Sequence, residues 1–165
     1  MDAMTSAEPP GEPGGASLPV RHAARVVLLD PQDRVLLMRY DDGPPNGVHW
    51  STPGGGLNAG EDHRGAARRE LAEETGWDDI ALLHEIHRCE ITMEYENVIV
   101  RQAERFFLAR TAQPRRQITG VDEMHASDGI AAWRWWTIAE LEATSEDVWP
   151  SGLADLIRRE LGPGR

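Results

Sequence analysis

The segment made by residues 55–77 constrains this chain more than any other part of its sequence. It starts in a glycine-rich turn, residues 53–56, and its second half predicts a helix that ends at Gly76, in the position of a C-cap. Three carboxylates recur in this helix at spacings of three and four residues, which puts them on one face: Glu70, Glu73 and Glu74. Because glycine carries no side chain, the backbone of the turn can approach that face. Carboxylates beside open backbone suit a hard divalent cation that also meets substrate phosphates.

The acidic helix also has a simpler interpretation. Acidic and basic residues interleaved on a helix usually form a solvated face joined by surface ion pairs. Two observations favour a metal site instead. Carboxylates on one side of a helix repel one another unless a cation lies between them. In addition, Gly55, Glu61 and Gly76 stand at the distances from the acidic residues that a known sequence pattern requires.

These distances form a named pattern. Residues 55–77 follow G-x5-E-x7-R-E-U-x-E-E-x-G-U, the Nudix box, in which U is a bulky aliphatic residue. The chain resembles Nudix hydrolases at the defined polar and glycine positions and at the first aliphatic one: Gly55, Glu61, Arg69, Glu70, Leu71, Glu73, Glu74 and Gly76. Trp77 fills the last position, where an aliphatic residue is usual, and this departure leaves the acidic residues unchanged. A match of this length is far more specific than a lone glycine motif.

The resemblance implies an activity, a cofactor and a metal site. Nudix hydrolases use a divalent cation, so we expect Mg²⁺-dependent hydrolysis of a diphosphate bond in a nucleoside diphosphate derivative, with Mn²⁺ as an alternative cation. On the family's pattern, the metal site comprises the carbonyl of Gly55 and the carboxylates of Glu70, Glu73 and Glu74. Nudix enzymes differ in which of these carboxylates binds metal and which acts on water. The alternative for Glu70 or Glu74 is therefore a role mainly as a base or in orienting water.

Further residues are expected to support or complete this site. In the family, the counterparts of Glu61 and Arg69 form ion pairs that stabilise the loop and helix, so we expect Arg69 to orient its acidic neighbours. A base from outside the box is common in Nudix enzymes, often on a later loop. The polar, irregular segment 111–128 supplies two candidates for this catalytic base, Asp122 and Glu123. Glu104 is a second candidate if its strand faces the site.

Sequence clues to substrate binding are few. Aromatic side chains can stack on a nucleobase, and Trp50, just before the glycine turn, is a candidate. Tyr95 is a second candidate by resemblance, because it lies 18 residues beyond Trp77, about where Nudix enzymes that cleave dinucleoside polyphosphates often carry a tyrosine. The guanidinium fork suits phosphate oxygens, so three arginines are candidate phosphate contacts: Arg25, Arg39 and Arg105. Each aromatic residue also has an ordinary interpretation as a core or strand residue, and each arginine as a surface charge.

Composition limits the partners of the chain. The net charge is −11 and the pI about 4.9, so we expect a small-molecule substrate and no general attraction to a nucleic-acid polymer. All 17 basic residues are Arg, which excludes a phosphate-loop lysine and a lysine Schiff base. The single cysteine, Cys89, cannot form an internal disulfide, and no segment resembles a membrane span or a signal peptide. We therefore expect a cytoplasmic protein with no membrane partner.

The order of predicted elements indicates the fold class. Residues 1–20 are rich in Pro, Gly, Ala and Glu and are expected to form a disordered arm, followed by a Nudix domain at 21–162. Alternation and turn residues predict six strands: 22–29, 34–40, 48–52, 80–95, 98–110 and 130–136. We expect the box helix, a short helix capped by Thr137 and a last helix opened by Pro150. This order predicts an α/β fold, a Nudix-like α/β/α sandwich with a mixed β-sheet.

Two other functions compete with hydrolysis. A Nudix-fold sensor or regulator would bind a nucleotide without turnover, but such proteins usually carry a degraded box, whereas the acidic set here is intact. An isomerase on the same fold would need a catalytic cysteine, and Cys89 stands in a predicted strand with no obvious activating neighbour. A homodimer is compatible with the resemblance, because many Nudix proteins are dimers, although no segment marks an interface.

Overall fold

A computed structural model describes residues 17–113, 117–118 and 129–163. Within them lie eight strands: β1 Val20–Leu29, β2 Val35–Asp41, β3 Val48–Ser51, β4 Gly54–Gly56, β5 Leu82–Tyr95, β6 Val98–Arg110, β7 Ile130–Trp136 and β8 Val148–Trp149. The same residues form three helices: α1 His63–Thr75, α2 Ile138–Ala143 and α3 Leu153–Leu161. The predicted strands and helices are confirmed with bounds that shift by a few residues, and the short strands β4 and β8 were not predicted.

The strands form one mixed sheet. Its order is β5-β6-β1-β2-β3-β8, with β4 paired to β1 and β7 paired to β2. β1 runs parallel to β6, and β3 runs parallel to β8, whereas the other pairs are antiparallel. The first half of β1 pairs with the glycine strand β4, and Leu29 at its end pairs with Val35 of β2. β1 therefore joins the glycine turn to the rest of the sheet.

Apolar layers lie on both faces of this sheet. Side chains alternate along β1, so Val26 packs on one face and Val27 on the other, and both are fully buried. Helix α1 covers the first face through Leu71, and helix α3 covers the second face through Ile157. The predicted α/β/α arrangement with a mixed sheet is confirmed.

Trp77, the unusual residue of the box, belongs to the core beside α1. Its side chain is buried, and its ring stacks on that of Trp135 with centroids 6.3 Å apart and an angle of 9° between the planes. Its Nε1–H donates a hydrogen bond to the carbonyl of Gln117 at 3.0 Å. A large aromatic residue therefore fills the position that an aliphatic side chain usually occupies, and its polar nitrogen is satisfied.

The hairpin of β5 and β6 extends to a two-residue turn. Glu96 and Asn97 form this turn with φ values of +49° and +63°. Two positive φ values are the geometry that matches the twist of the flanking strands, so the predicted turn is confirmed although neither residue is glycine. Tyr95 consequently stands at the tip of the hairpin.

The predicted N-terminal arm falls mostly outside the described residues, since these begin at Ser17 and β1 begins at Val20. Disorder over residues 1–16 therefore stays a prediction. None of the helices in the described part of the chain is long and apolar enough to cross a membrane.

Candidate active site

The glycine-rich turn enters the sheet in close contact with β1. Gly54 pairs with Arg25 in the antiparallel register of β1 and β4. A Cβ atom on Gly54 would lie 2.2 Å from the carbonyl oxygen of Ala24, so only glycine fits. This approach brings the backbone of the turn beside α1, which also contacts both strands.

Caps fix both ends of α1. The side chain of Asp62 accepts a hydrogen bond from the backbone N–H of Gly65 at 2.7 Å, which caps the N-terminus. Gly76 adopts a left-handed φ of +76° and its N–H donates to the carbonyl of Ala72, so the predicted C-cap is confirmed. With Leu71 buried against the sheet, the carboxylate face of the helix turns toward the glycine strand.

Glu70 lies directly against this glycine strand. A Cβ atom on Gly55 would lie 2.7 Å from Oε1 of Glu70, so the missing side chain leaves space that the carboxylate fills. The Nη1–H of Arg69 donates to the same carboxylate oxygen at 2.7 Å. The structure therefore brings together Gly55 and Glu70, two of the residues predicted to hold a metal ion.

Glu74 is buried between α1, β2 and the turn. It is 4% exposed, and its carboxylate accepts hydrogen bonds from the hydroxyl of Tyr40 at 2.9 Å and from the backbone N–H of Gly54 at 3.0 Å. Burial raises the pKa of Glu74 to about 8; the charge of Glu70 adds to this rise, and the bond from Tyr40 opposes it. Glu74 thus ties the helix to the glycine turn.

Arg69 joins the box residues to one another. Its guanidinium donates to both oxygens of Glu61, at 3.0 and 2.8 Å, and to the carbonyl of Gly56 at 2.9 Å. It also donates to Glu73 at 3.2 Å. The bond from Arg69, together with the backbone N–H of Asn58, lowers the pKa of Glu61 to about 2. These are the contacts expected of an arginine that supports the loop and orients its acidic neighbours.

An open cleft of about 680 Å³ runs past the three box carboxylates. Six acidic side chains line it, together with three that carry basic nitrogen: Asp41, Asp42, Glu70, Glu73, Glu74, Glu96, Arg21, Arg25 and His49. Tyr95 also lines the cleft, is 40% exposed, and lies with its ring centroid 4.1 Å from the guanidinium carbon of Arg21. Of the three predicted substrate-binding residues, Tyr95 is therefore at the cleft with the carboxylates.

The other two predicted substrate contacts, Arg39 and Trp50, line a neighbouring depression that shares only His49 with the cleft. Trp50 belongs to the core on the sheet face opposite α1. Trp50 is buried, donates its Nε1–H to Glu146 and packs edge-on against Trp136 with ring centroids 5.1 Å apart. Arg39 and Trp50 lie away from the cleft because neighbouring residues of strands β2 and β3 point to opposite faces of the sheet. These contacts favour a core role for Trp50.

Glu104 and Arg25, predicted as a second base and a phosphate contact, bind each other in the structure. The carboxylate of Glu104 is buried and accepts from Nε of Arg25 at 2.7 Å, from Gln102 at 2.8 Å and from the indole of Trp149. Arg25 also donates to the carbonyl of Thr52 at 3.1 Å. Arg25 is thus not a surface charge, and these partners favour a structural role for Glu104.

Three candidates remain: Arg105, Asp122 and Glu123. Arg105 lies on the surface, where it forms an ion pair with Glu85 at 3.8 Å. Asp122 and Glu123 lie outside the described residues, so their candidacy as the catalytic base stays a prediction. In the part of the chain that the structure describes, no three His, Cys, Asp or Glu side chains are arranged as a ready-made cation site.

Comparison with known proteins agrees with this geometry. The NUDIX domain family matches residues 19–158, which is most of the chain. The chain therefore belongs to the Nudix family and is a Nudix hydrolase.

Its relatives in sequence carry related names. The chain is 29% identical over 139 residues to an RNA pyrophosphohydrolase of Acidiphilium cryptum, a match that covers 79% of this chain and 83% of that protein. It is 51% identical to an RNA pyrophosphohydrolase of Caulobacter vibrioides, but only over 59 residues, or 35% of this chain and 33% of that protein.

Solved structures show the same fold at low sequence identity. The MutT protein of Methanosarcina mazei superimposes with a TM-score of 0.65 and 16% identity, covering 88% of this chain and 95% of that one. The dihydroneopterin triphosphate pyrophosphohydrolase of E. coli superimposes with a TM-score of 0.62 and 22% identity, covering 84% of this chain and 92% of that one. The NUDIX domain of Shewanella oneidensis NrtR, complexed with ADP ribose, superimposes with a TM-score of 0.61 and 17% identity, covering 93% of this chain and 95% of that one.

Proposed function

We propose that this Nudix hydrolase is a pyrophosphohydrolase that cleaves a diphosphate bond in a nucleoside diphosphate derivative with the help of Mg²⁺. One observation carries the proposal: the box helix holds Glu70 against the backbone of Gly55 and Glu74 against that of Gly54. Both contacts lie on an open cleft that would admit a nucleotide. The intact acidic set favours catalysis over the alternative of a Nudix-fold sensor.

The donor atoms at this point of the cleft fit Mg²⁺. We propose that the carboxylates of Glu70, Glu73 and Glu74 and the carbonyl of Gly55 hold the ion, since oxygen ligands are those that Mg²⁺ and Mn²⁺ accept. A Cβ atom on Gly55 would lie 2.7 Å from Oε1 of Glu70, so glycine at this position lets the backbone and the carboxylate come close enough to reach one ion. The chemistry that Mg²⁺ supplies when bound is neutralisation of negative charge on the diphosphate oxygens.

Residues around this site are proposed to prepare it for the ion. Arg69 already contacts both Glu70 and Glu73, and a cation would compete with it for those carboxylates. Glu61 fixes the other side of the same guanidinium, so Arg69 can release one carboxylate without leaving the site. We therefore assign Glu61 and Arg69 the role of orienting the metal-binding carboxylates.

The base that activates water is proposed from a short set of residues. Glu70 and Glu74 are the candidates within the box, and both line the cleft. Glu123 remains the candidate from outside the box. Burial raises the pKa of Glu74, which disposes this carboxyl group to hold a proton when no cation is bound.

The 5′ end of RNA is a second candidate substrate, because RNA pyrophosphohydrolases are among the relatives that match this chain. The same reaction centre would serve both substrates, since each presents a diphosphate bond next to a nucleoside. The net charge of −11 opposes general attraction to a polymer, which favours the small nucleotide. A cytoplasmic location and a homodimer stay predictions of the sequence.

A substrate panel tests the proposal. It comprises nucleoside triphosphates, oxidised dGTP, ADP-ribose, NADH, dinucleoside polyphosphates, nucleotide sugars and a 5′-triphosphorylated oligoribonucleotide, each with Mg²⁺, with Mn²⁺ and with chelator. We expect cation-dependent release of a nucleoside monophosphate or pyrophosphate from at least one small nucleotide. Turnover of the oligoribonucleotide alone would instead favour the RNA candidate. Binding of one compound without turnover of any would contradict the proposal and favour the sensor.

A further inference from the structure

One wall of the cleft contains a histidine that the sequence pattern did not single out. His49 of β3 pairs with Tyr40 of β2, so both side chains point to the face that α1 covers. The two rings stack with centroids 5.6 Å apart and an angle of 19° between the planes. Since the hydroxyl of Tyr40 binds Glu74, one side chain separates His49 from a box carboxylate.

His49 differs from the other basic residues of the cleft in its partners. Arg21 binds Gln102 and lies over the ring of Tyr95, and Arg25 binds the carboxylate of Glu104 and the carbonyl of Thr52. Their nitrogen atoms are thus largely engaged within the protein. Among the described residues, His49 forms an ion pair with Asp42, whose Oδ2 lies 3.9 Å from Nδ1, beyond the length of a hydrogen bond.

We propose that His49 is an additional substrate contact of the Nudix site, which donates a hydrogen bond to a phosphoryl oxygen of the bound diphosphate. The inference rests on the proposed function and names a further binding residue for it. The stacked ring of Tyr40 fixes the plane of the imidazole, so its ring nitrogens keep a defined direction.

The charge of the cleft explains why such a donor is useful. Six carboxylates line it, and a diphosphate must enter against their repulsion. Burial lowers the pKa of His49, Asp42 opposes this and Arg25 adds to it, so the imidazole is neutral at neutral pH. Asp147 and Glu104 oppose the lowering as well. A neutral imidazole keeps one N–H, which can donate to an anion without a prior change of charge.

Binding of α,β-methylene-ADP, a diphosphate whose bridging carbon prevents hydrolysis, tests this inference by calorimetry in the presence of Mg²⁺. We expect His49→Ala to weaken binding about tenfold, the usual effect of removing a hydrogen bond to a charged group. His49→Gln, whose amide restores a donor, should recover most of this loss. His84→Ala is the matched control, because His84 is exposed and pairs with Glu160, away from the cleft, and it should bind normally.

Adenosine, which lacks phosphate, separates phosphate contact from base contact. We expect the His49→Ala substitution to leave adenosine binding unchanged. Equal weakening for both ligands, unchanged binding of α,β-methylene-ADP by His49→Ala, or no Mg²⁺-dependent binding by the unaltered protein would each overturn the inference. Failure of the proposed function is a different result: the unaltered protein would bind the diphosphate through His49 and hydrolyse no member of the substrate panel.

Discussion

Two arginine–carboxylate clusters lie beside the glycine turn and differ in their access to solvent. In the cluster of the box helix, Arg69 shares its donors among Glu61, Glu70 and Glu73, and the Glu73 side chain is 48% exposed. In the second cluster, Arg25 binds Glu104, whose side chain is 0% exposed. The same residue types therefore form a partly solvated network in one place and a buried pair in the other.

The difference shows that burial determines whether a charged pair is suited to binding or to structure. Burial alone would raise the pKa of Glu104, but Arg25 and the donors Trp149 and Gln102 lower it below its usual range. Removing one member of such a pair leaves a buried charge without compensation, so the pair is fixed. Around Arg69 the carboxylate side chains are 16–48% exposed, so water reaches the network and a cation can compete for its carboxylates. The first cluster suits binding and the second suits structure.

The largest expected effect is on the buried cluster. We expect Glu104→Gln to lower the free energy of unfolding by about 3–5 kcal/mol, because Arg25 would keep its charge in a buried site. Urea denaturation at neutral pH measures this change. Glu142→Gln is a suitable control, since Glu142 pairs with Arg158 on the surface, and it should lose no more than about 1 kcal/mol. A loss of similar size in both variants would remove the distinction between the clusters.

The pH dependence of this stabilisation has a defined sign. Because the pKa of Glu104 is lowered in the folded protein, its contribution is complete above the pKa of an unfolded glutamate, about 4.3. The contribution is lost as the pH falls through the lowered value. We therefore expect the stability gap between the unaltered protein and Glu104→Gln to be constant near neutrality and to narrow in acid. Urea denaturation over this range measures the gap, and a gap that widens in acid would contradict the assignment.

A smaller effect on stability is expected at the exposed cluster. Arg69→Gln should change the free energy of unfolding by no more than about 1 kcal/mol, since its partners are partly solvated. It should nevertheless raise the Mg²⁺ concentration for half-maximal hydrolysis about tenfold or more, because the carboxylates lose their orienting contact. Arg101→Gln, which removes an exposed pair with Glu90, should alter neither quantity. An Arg69→Gln variant with normal Mg²⁺ dependence would show that Arg69 is only a surface partner.

Local sequence predicted the first cluster well. The spacing of Glu70, Glu73 and Glu74 was enough to place them on one side of α1, because helix geometry depends on residues close in the chain. Asp62 and Gly76 mark the two ends of the same helix by their capping chemistry. The box therefore carries most of the candidate site in one continuous stretch of sequence.

Contacts between distant strands could not be predicted in this way. Arg25 and Glu104 are 79 residues apart and meet only because β1 and β6 pair in parallel with a particular register. The register of β2 and β3 likewise decides that His49 faces the cleft while its neighbour Trp50 enters the core. A register shift of one residue would exchange the positions of His49 and Trp50, and the local sequence does not specify which register forms.

Hydrolysis by Glu73→Gln and Glu74→Gln tests the central claim most directly. Each should abolish Mg²⁺-dependent hydrolysis of the substrate found in the panel, while circular dichroism and thermal unfolding show that the fold is retained. Glu90→Gln is the matched control for Glu73, because its side chain is 53% exposed and it also pairs with an arginine, and it should retain full activity. Normal turnover in both box variants would contradict the claim that the carboxylates of α1 hold the catalytic cation.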